Sequence, residues 1–206
     1  MFDPLRELAY GWNERATVEF AYYAFLSAIV SRISGDRKGL EDASDAANEI
    51  LESESVTPLV EWLARVALAI VAVERSDPQL AAQQYQRLLP MSGKWLFFGG
   101  DRLLGLLAGT LGRTEEAVRH HEDAVKFGRD LGYRVDLAWS YAEYAETLLD
   151  RDDPHSTGSV HASSASGISD REKAIELQGE ALAITQELGM RPLTERILAR
   201  REILRA

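Results

Sequence analysis

Trp139, Glu143 and Glu146 stand at i, i+4 and i+7, so a helix brings an indole and two carboxylates to one face. That set suits a positively charged peptide or small ligand, because a ring face attracts a cation and the acids neutralise it. The competing reading places Trp139 in the core, and the spacing leaves both open. Other residues with chemistry form no working pattern. His120 and His121 are adjacent and point about 100° apart on a helix, so they do not readily share an ion. His121-Glu122 opens an H-E-x-x-H frame, but position 125 is Val, which removes the second ligand. His155 and His161, near Asp152 and Asp153, offer no more than adventitious metal uptake. Ser92-Gly93-Lys94-Trp95 lacks the frame of a phosphate loop, and no strand precedes Gly99-Gly100 or Gly105. No G-x-S-x-G elbow is present, and there is no cysteine to act as nucleophile, zinc ligand or disulfide partner. The expectation is a non-enzymatic protein without a cofactor or a metal site.

Charge narrows the partners. The 206 residues hold 33 acidic and 23 basic side chains, a net charge of −10, against direct nucleic-acid binding. Seven acids between Asp36 and Glu54 face only Arg37 and Lys38. They read as a water-facing helix, with an acidic docking face as the alternative. Residues 191–206 invert the sign, with Arg191, Arg196, Arg200, Arg201 and Arg205 against Glu195 and Glu202. This suits a polar capping helix at 191–205, or a contact to a following domain. Asp3 and Glu7 spoil a signal peptide. The longest apolar run, Val66 to Val73, is eight residues, too short for a bilayer that needs about 20. The expected compartment is the cytoplasm, without a membrane contact.

The elements that must carry these residues are helices. Apolar rows such as Ala64, Ala67, Leu68, Val71 and Leu177, Ala181, Ile184, Leu188 step by three and four. Asp3-Pro4, Thr57-Pro58 and Asp77-Pro78 read as N-caps followed by proline at the first helical position. The spacing predicts helices at 4–11, 14–34, 36–53, 57–74, 77–90, 95–111, 113–131, 134–151, 170–189 and 191–205, and no strand. Short joints at Gly35, Ser76, Gly112, Gly132 and Gly189 make neighbours antiparallel. Residues 155–169, HSTGSVHASSASGIS, have too little apolar content to order themselves and read as a flexible insert.

A loose period runs through the chain. Ala43–Ala47–Ile50, Ala81–Tyr85–Leu88, Ala117–His121–Ala124 and Ala174–Gln178–Ala181 share one spacing, with small residues that let two helices approach. This pattern resembles tetratricopeptide repeats. The stretches 96–125, 133–154 and 170–206 are similar to the helical-repeat region of large bacterial regulators, in which a signal-transduction ATPase or a cyclase precedes the repeats. In many of these a LuxR-type helix-turn-helix follows a segment like RREILRA. The chain departs from that pattern at His121, usually an aromatic, and in the insert after Pro154.

The resemblance implies an all-α, right-handed superhelical array of about five antiparallel helix pairs, spanning 1–206 as a single repeat domain. It also implies a groove lined by the first helix of each pair. By register from Gly105 and Ala142 the groove-facing positions are Arg102, Leu103, Leu106, Asp136, Trp139, Glu143 and Glu146, with Val66, Ile70 and Glu74 in the preceding pair. Of these, Arg102, Asp136, Trp139, Glu143 and Glu146 are the candidate partner-binding residues. The implied function is an interaction or sensor module that binds a protein segment or small effector and regulates a signalling or transcription protein, including an ATPase or helix-turn-helix domain of its own. The alternative is a scaffold that self-associates as a homo-oligomer.

Overall fold

The computed structural model describes residues 17–54, 56–94, 99–152 and 169–203. The expected helix at 4–11, residues 155–168 of the insert and the last three residues lie outside that set. Among the described residues there are nine α-helices and no strand: α1 (Val18–Ser34), α2 (Arg37–Leu51), α3 (Pro58–Glu74), α4 (Pro78–Leu88), α5 (Gly100–Thr110), α6 (Thr114–Leu131), α7 (Arg134–Asp152), α8 (Asp170–Leu188) and α9 (Arg191–Ile203). The chain divides into two compact units, 1–88 and 89–206.

In the first unit the caps follow the sequence signals. Thr57 Oγ1 accepts from the Val60 N–H at 3.5 Å, and Asp77 Oδ1 accepts from the Gln79 and Leu80 N–H groups at 3.0 Å each. Helix α3 packs on α1, α2 and α4. It is therefore apolar on nearly every side, and Leu63, Ala64, Ala67, Ile70 and Val71 are fully buried. This corrects the placement of Val66 and Ile70 on a groove: both are sealed inside the unit. Asp36, Glu41, Asp45, Glu52 and Glu54 are exposed, so the acidic stretch is a water-facing side of α2 and its flanks.

In the second unit α5 packs on α6 and α7, α6 on α7, α7 on α8, and α8 on α9. Each helix meets the next one or the next but one. Gly132 (φ +70°) and Gly189 (φ +68°) turn the chain after α6 and α8 in the left-handed region, where a side chain is disfavoured. Helix α5 begins at Gly100 rather than 95. A side chain at Gly100 would collide with the Met91 carbonyl, 2.1 Å from its would-be Cβ, so the preceding turn sets the start of the helix.

The four spaced triplets all fall on second helices, α2, α4, α6 and α8, and every member is buried. His121 is an instance of the close approach they permit. It is fully buried, and its ring lies so near Gly105 on α5 that a Cβ there would sit 2.8 Å from Cε1. The same ring stacks on Tyr144 at 5.8 Å, with Thr147 Oγ1 3.1 Å from Nε2. Gly109, four residues on, has nothing within 4 Å of its would-be Cβ.

Candidate functional site

The five residues selected from the sequence meet in one cluster of the second unit, joined by a sixth that was not selected. Arg102 on α5 is buried and reaches across to α7. Its Nε and Nη2 donate to Glu143 at 2.7 and 2.9 Å, and Nη1 donates to Asp136 at 2.9 Å. Burial works against the guanidinium charge, but Glu143 and then Asp136 hold its pKa above the ordinary value. Glu143 is only 1% exposed. A carboxylate in that position needs a matched cation, because an unpaired buried charge is strongly disfavoured.

Trp139 is half-buried and packs against the core of Leu137, Ala138, Tyr141, Ala142 and their neighbours. Its ring has Arg102 at 5.2 Å and Arg196 of α9 at 6.0 Å. Arg196 donates to Glu146 through Nε at 2.9 Å and Nη2 at 2.7 Å. One turn further on, Arg200 Nη2 donates to Asp150 at 2.7 Å. Both contacts have an offset of 50 residues, so α7 and α9 run in the same direction and in register.

The geometry changes the sequence reading of this face. Glu143 and Glu146 are not carboxylates waiting for a cation; arginines from α5 and α9 already hold them. The i, i+4, i+7 spacing shows which residues share a face of α7 but nothing about the arginines that reach Glu143 and Glu146 from 41 and 50 residues away. Arg196 was read as part of a polar cap. Its signal was the matched spacing of Glu146 and Asp150 on α7 with Arg196 and Arg200 on α9. Leu103 is buried, Leu106 is half-buried, and Glu74 pairs with Arg32 at 3.2 Å within the first unit.

The cluster is graded. The Arg102–Glu143 pair is sealed, whereas Arg196 and Glu146 keep side-chain exposures of 36% and 25%. The inner pair fixes the positions of α5 and α7; the outer pair is partly open to solvent.

Two further polar clusters tie the same unit together. Asp101 receives Ser92 Oγ at 2.8 Å and the Gly93 N–H at 2.6 Å, with His120 Nδ1 at 3.0 Å. Burial pushes its carboxyl up, but His120, the Gly93 N–H and Ser92 together hold the pKa below the ordinary value. On α6, α7 and α8, Tyr144 donates to Glu122 at 2.8 Å and accepts from Lys173 at 2.6 Å. Burial first, and the bond to Glu122 in addition, push its phenol up to about 12 against the pull of Lys173. Among the described residues no group of three or more metal-ligating side chains comes together, and no helix is long and apolar enough to cross a membrane. No family model matches the chain, and no curated protein or solved structure matches it.

Proposed function

We propose that the chain is a tetratricopeptide-like interaction module whose ligand, a peptide segment or a small effector, binds the first-helix face of the second unit beside Trp139. The observation that carries this reading is the convergence of Arg102, Asp136, Trp139, Glu143, Glu146 and Arg196 from three helices. Four buried triplets on alternating second helices support the repeat assignment. A ligand at this face works by exchange. A cationic group displaces Arg196 from Glu146, or an anionic group replaces Glu146 on Arg196, while the indole supplies contact area. Either exchange loosens α9 from α7, a route by which binding is felt by a domain attached beyond α9. The regulated partner on this reading is a signalling or transcription protein.

The test is fluorine NMR of the protein labelled with 5-fluorotryptophan, with the Trp139 resonance assigned by Trp139→Phe. Pools of acidic and basic peptides and small effectors are added to wild type and to Arg196→Gln. The expected ligand moves the Trp139 resonance in wild type; an anionic ligand binds Arg196→Gln at least about tenfold more weakly, the effect of losing a contact worth about 1.4 kcal/mol, whereas a cationic ligand, freed of its competitor for Glu146, binds that variant more tightly. Ligands that bind tightly while leaving that resonance still would reject the site.

A second reading, self-association, draws on Leu131, Tyr133 and Val135 at the turn between α6 and α7, exposed by 51%, 40% and 56%. Light scattering across a concentration series separates it: a mass that doubles and returns to monomer in Val135→Ser favours the scaffold.

A further inference from the structure

The geometry points to a guanidinium seat on α7 that Arg196 fills from within the chain, and to an arginine of a partner protein as the ligand that takes it over; this rests on the Trp139 face being the ligand site. The seat has two parts. Glu146 offers both carboxylate oxygens, Oε1 to Arg196 Nε at 2.9 Å and Oε2 to Nη2 at 2.7 Å. The Trp139 ring lies beside the same guanidinium, whose carbon is 6.0 Å from the ring centroid. A flat cation with paired donors matches a fork of two oxygens and also lies against an aromatic ring. An ammonium is a compact point charge and does neither as well, so the seat selects arginine over lysine.

The neighbouring guanidinium shows why this one exchanges. Arg102 is 5.2 Å from the same ring centroid, but three of its nitrogens are bonded to Glu143 and Asp136, and its side chain is 6% exposed. Removing it would strand Glu143, which is 1% exposed. Arg196 and Glu146 are exposed by 36% and 25%, so that pair is weakly held. A departing Arg196 passes into water and leaves no sealed charge behind. Helix α9 keeps its apolar anchors, Leu193 and Ile197, buried at 1% and 3% exposure. The exchange therefore loosens α9 without unseating it.

Charge sets the sign of the ligand. The guanidinium groups of Arg102, Arg196 and Arg200 meet the carboxylates of Asp136, Glu143, Glu146 and Asp150, which outnumber them. The whole chain carries a net charge of −10, which steers a cation toward this face. An anion on Arg196 would release Glu146 beside the other carboxylates and add to the excess.

The probe is N-acetyl-L-arginine N-methylamide, with its lysine and citrulline analogues as controls, added at constant ionic strength to the whole chain labelled with 5-fluorotryptophan. In Arg196→Ala, which empties the seat, the arginine derivative is expected to shift the Trp139 resonance saturably. It should bind there at least about tenfold more tightly than in wild type, where Arg196 competes at a roughly millimolar effective concentration. The lysine analogue binds more weakly, and the uncharged citrulline analogue leaves the resonance still. Adding Glu146→Gln to Arg196→Ala abolishes the binding. In wild type a high concentration of the arginine derivative speeds amide exchange in α9, and the citrulline analogue does not. Circular dichroism checks that both variants keep their helices. Equal binding of either analogue, or binding that survives Glu146→Gln, would overturn the seat. An anionic ligand that moves the Trp139 resonance and is weakened in Arg196→Gln would overturn it too, while leaving the Trp139 site itself standing.

Discussion

Arg102 and Glu143 lie 41 residues apart in sequence and meet through two hydrogen bonds, with their side chains 6% and 1% exposed. This contact sets the spacing of α5 and α7, and with it the position of Trp139 beside them.

Breaking that pair from one side is expected to be severe. Glu143→Ala leaves a buried guanidinium with Asp136 alone and should lower stability by about 3–5 kcal/mol, read by urea denaturation. Replacing both partners by apolar groups, Arg102→Met with Glu143→Leu, and neutralising the third member by Asp136→Asn in the same variant, should recover most of the loss. A combined variant as weak as the single one would show that packing, rather than the uncompensated charge, is the source.

Gly105→Ala is expected to destabilise. The added methyl meets the buried His121 ring at 2.8–2.9 Å, and overpacking of that kind costs about 1–3 kcal/mol, more than the ~1 kcal/mol gained in helix propensity. Combining it with His121→Ala should restore the propensity gain relative to His121→Ala alone. Gly109→Ala, where the space is open, should raise the melting temperature.

Asp101 gives an acid-side signature. Its folded pKa lies below the ordinary carboxylate value, so it stabilises the fold above that ordinary value and loses the contribution as pH falls through the lower folded one. Wild type should therefore lose stability below about pH 4 more steeply than Asp101→Asn. At neutral pH Asp101→Asn should already be weaker by about 1.5–3 kcal/mol, the usual worth of hydrogen bonds to a charged group. Denaturation midpoints of the two proteins from pH 3 to 7 test it; parallel curves reject the assignment.

Much of the fold was legible in the sequence. Proline positions, capping residues and three- and four-step apolar rows carry local information, and helices α1 to α9 follow them within a few residues. The triplets were legible too, because small residues at one spacing have a packing reason that is visible without partners. The pairing of charges was not legible. Glu146 and Arg196 are 50 residues apart, and helical spacing determines only which face each occupies. Val66 and Ile70 were misplaced for the opposite reason: α3 is covered by three helices, and a register carried from another pair does not count neighbours.

The insert boundary yields another prediction. Ser169 is the N-cap of α8, accepting from the Glu172 N–H at 3.2 Å while Glu172 accepts from the Ser169 N–H at 3.0 Å. Ser169→Ala should cost about 1 kcal/mol. Arg151 on α7 binds Asp170, so the two helix ends are adjacent. Deleting residues 155–168 keeps the cap and deleting 155–169 removes it, and the first should melt higher. Equal melting temperatures would show that the cap contributes nothing.

Helix α9 has salt-sensitive links to α7 beside its apolar anchors Leu193 and Ile197. It is held to α7 by Arg196 and Arg200, whose side chains are 36% and 38% exposed, and exposed charges lose their reach as the screening distance falls to about 3 Å at 1 M salt. Raising ionic strength should therefore speed amide exchange in α9 before α7 or α5 responds, since Arg102 and Glu143 are shielded from the added ions. An output domain joined after α9 would feel that graded release as a longer and looser tether, with no ligand present.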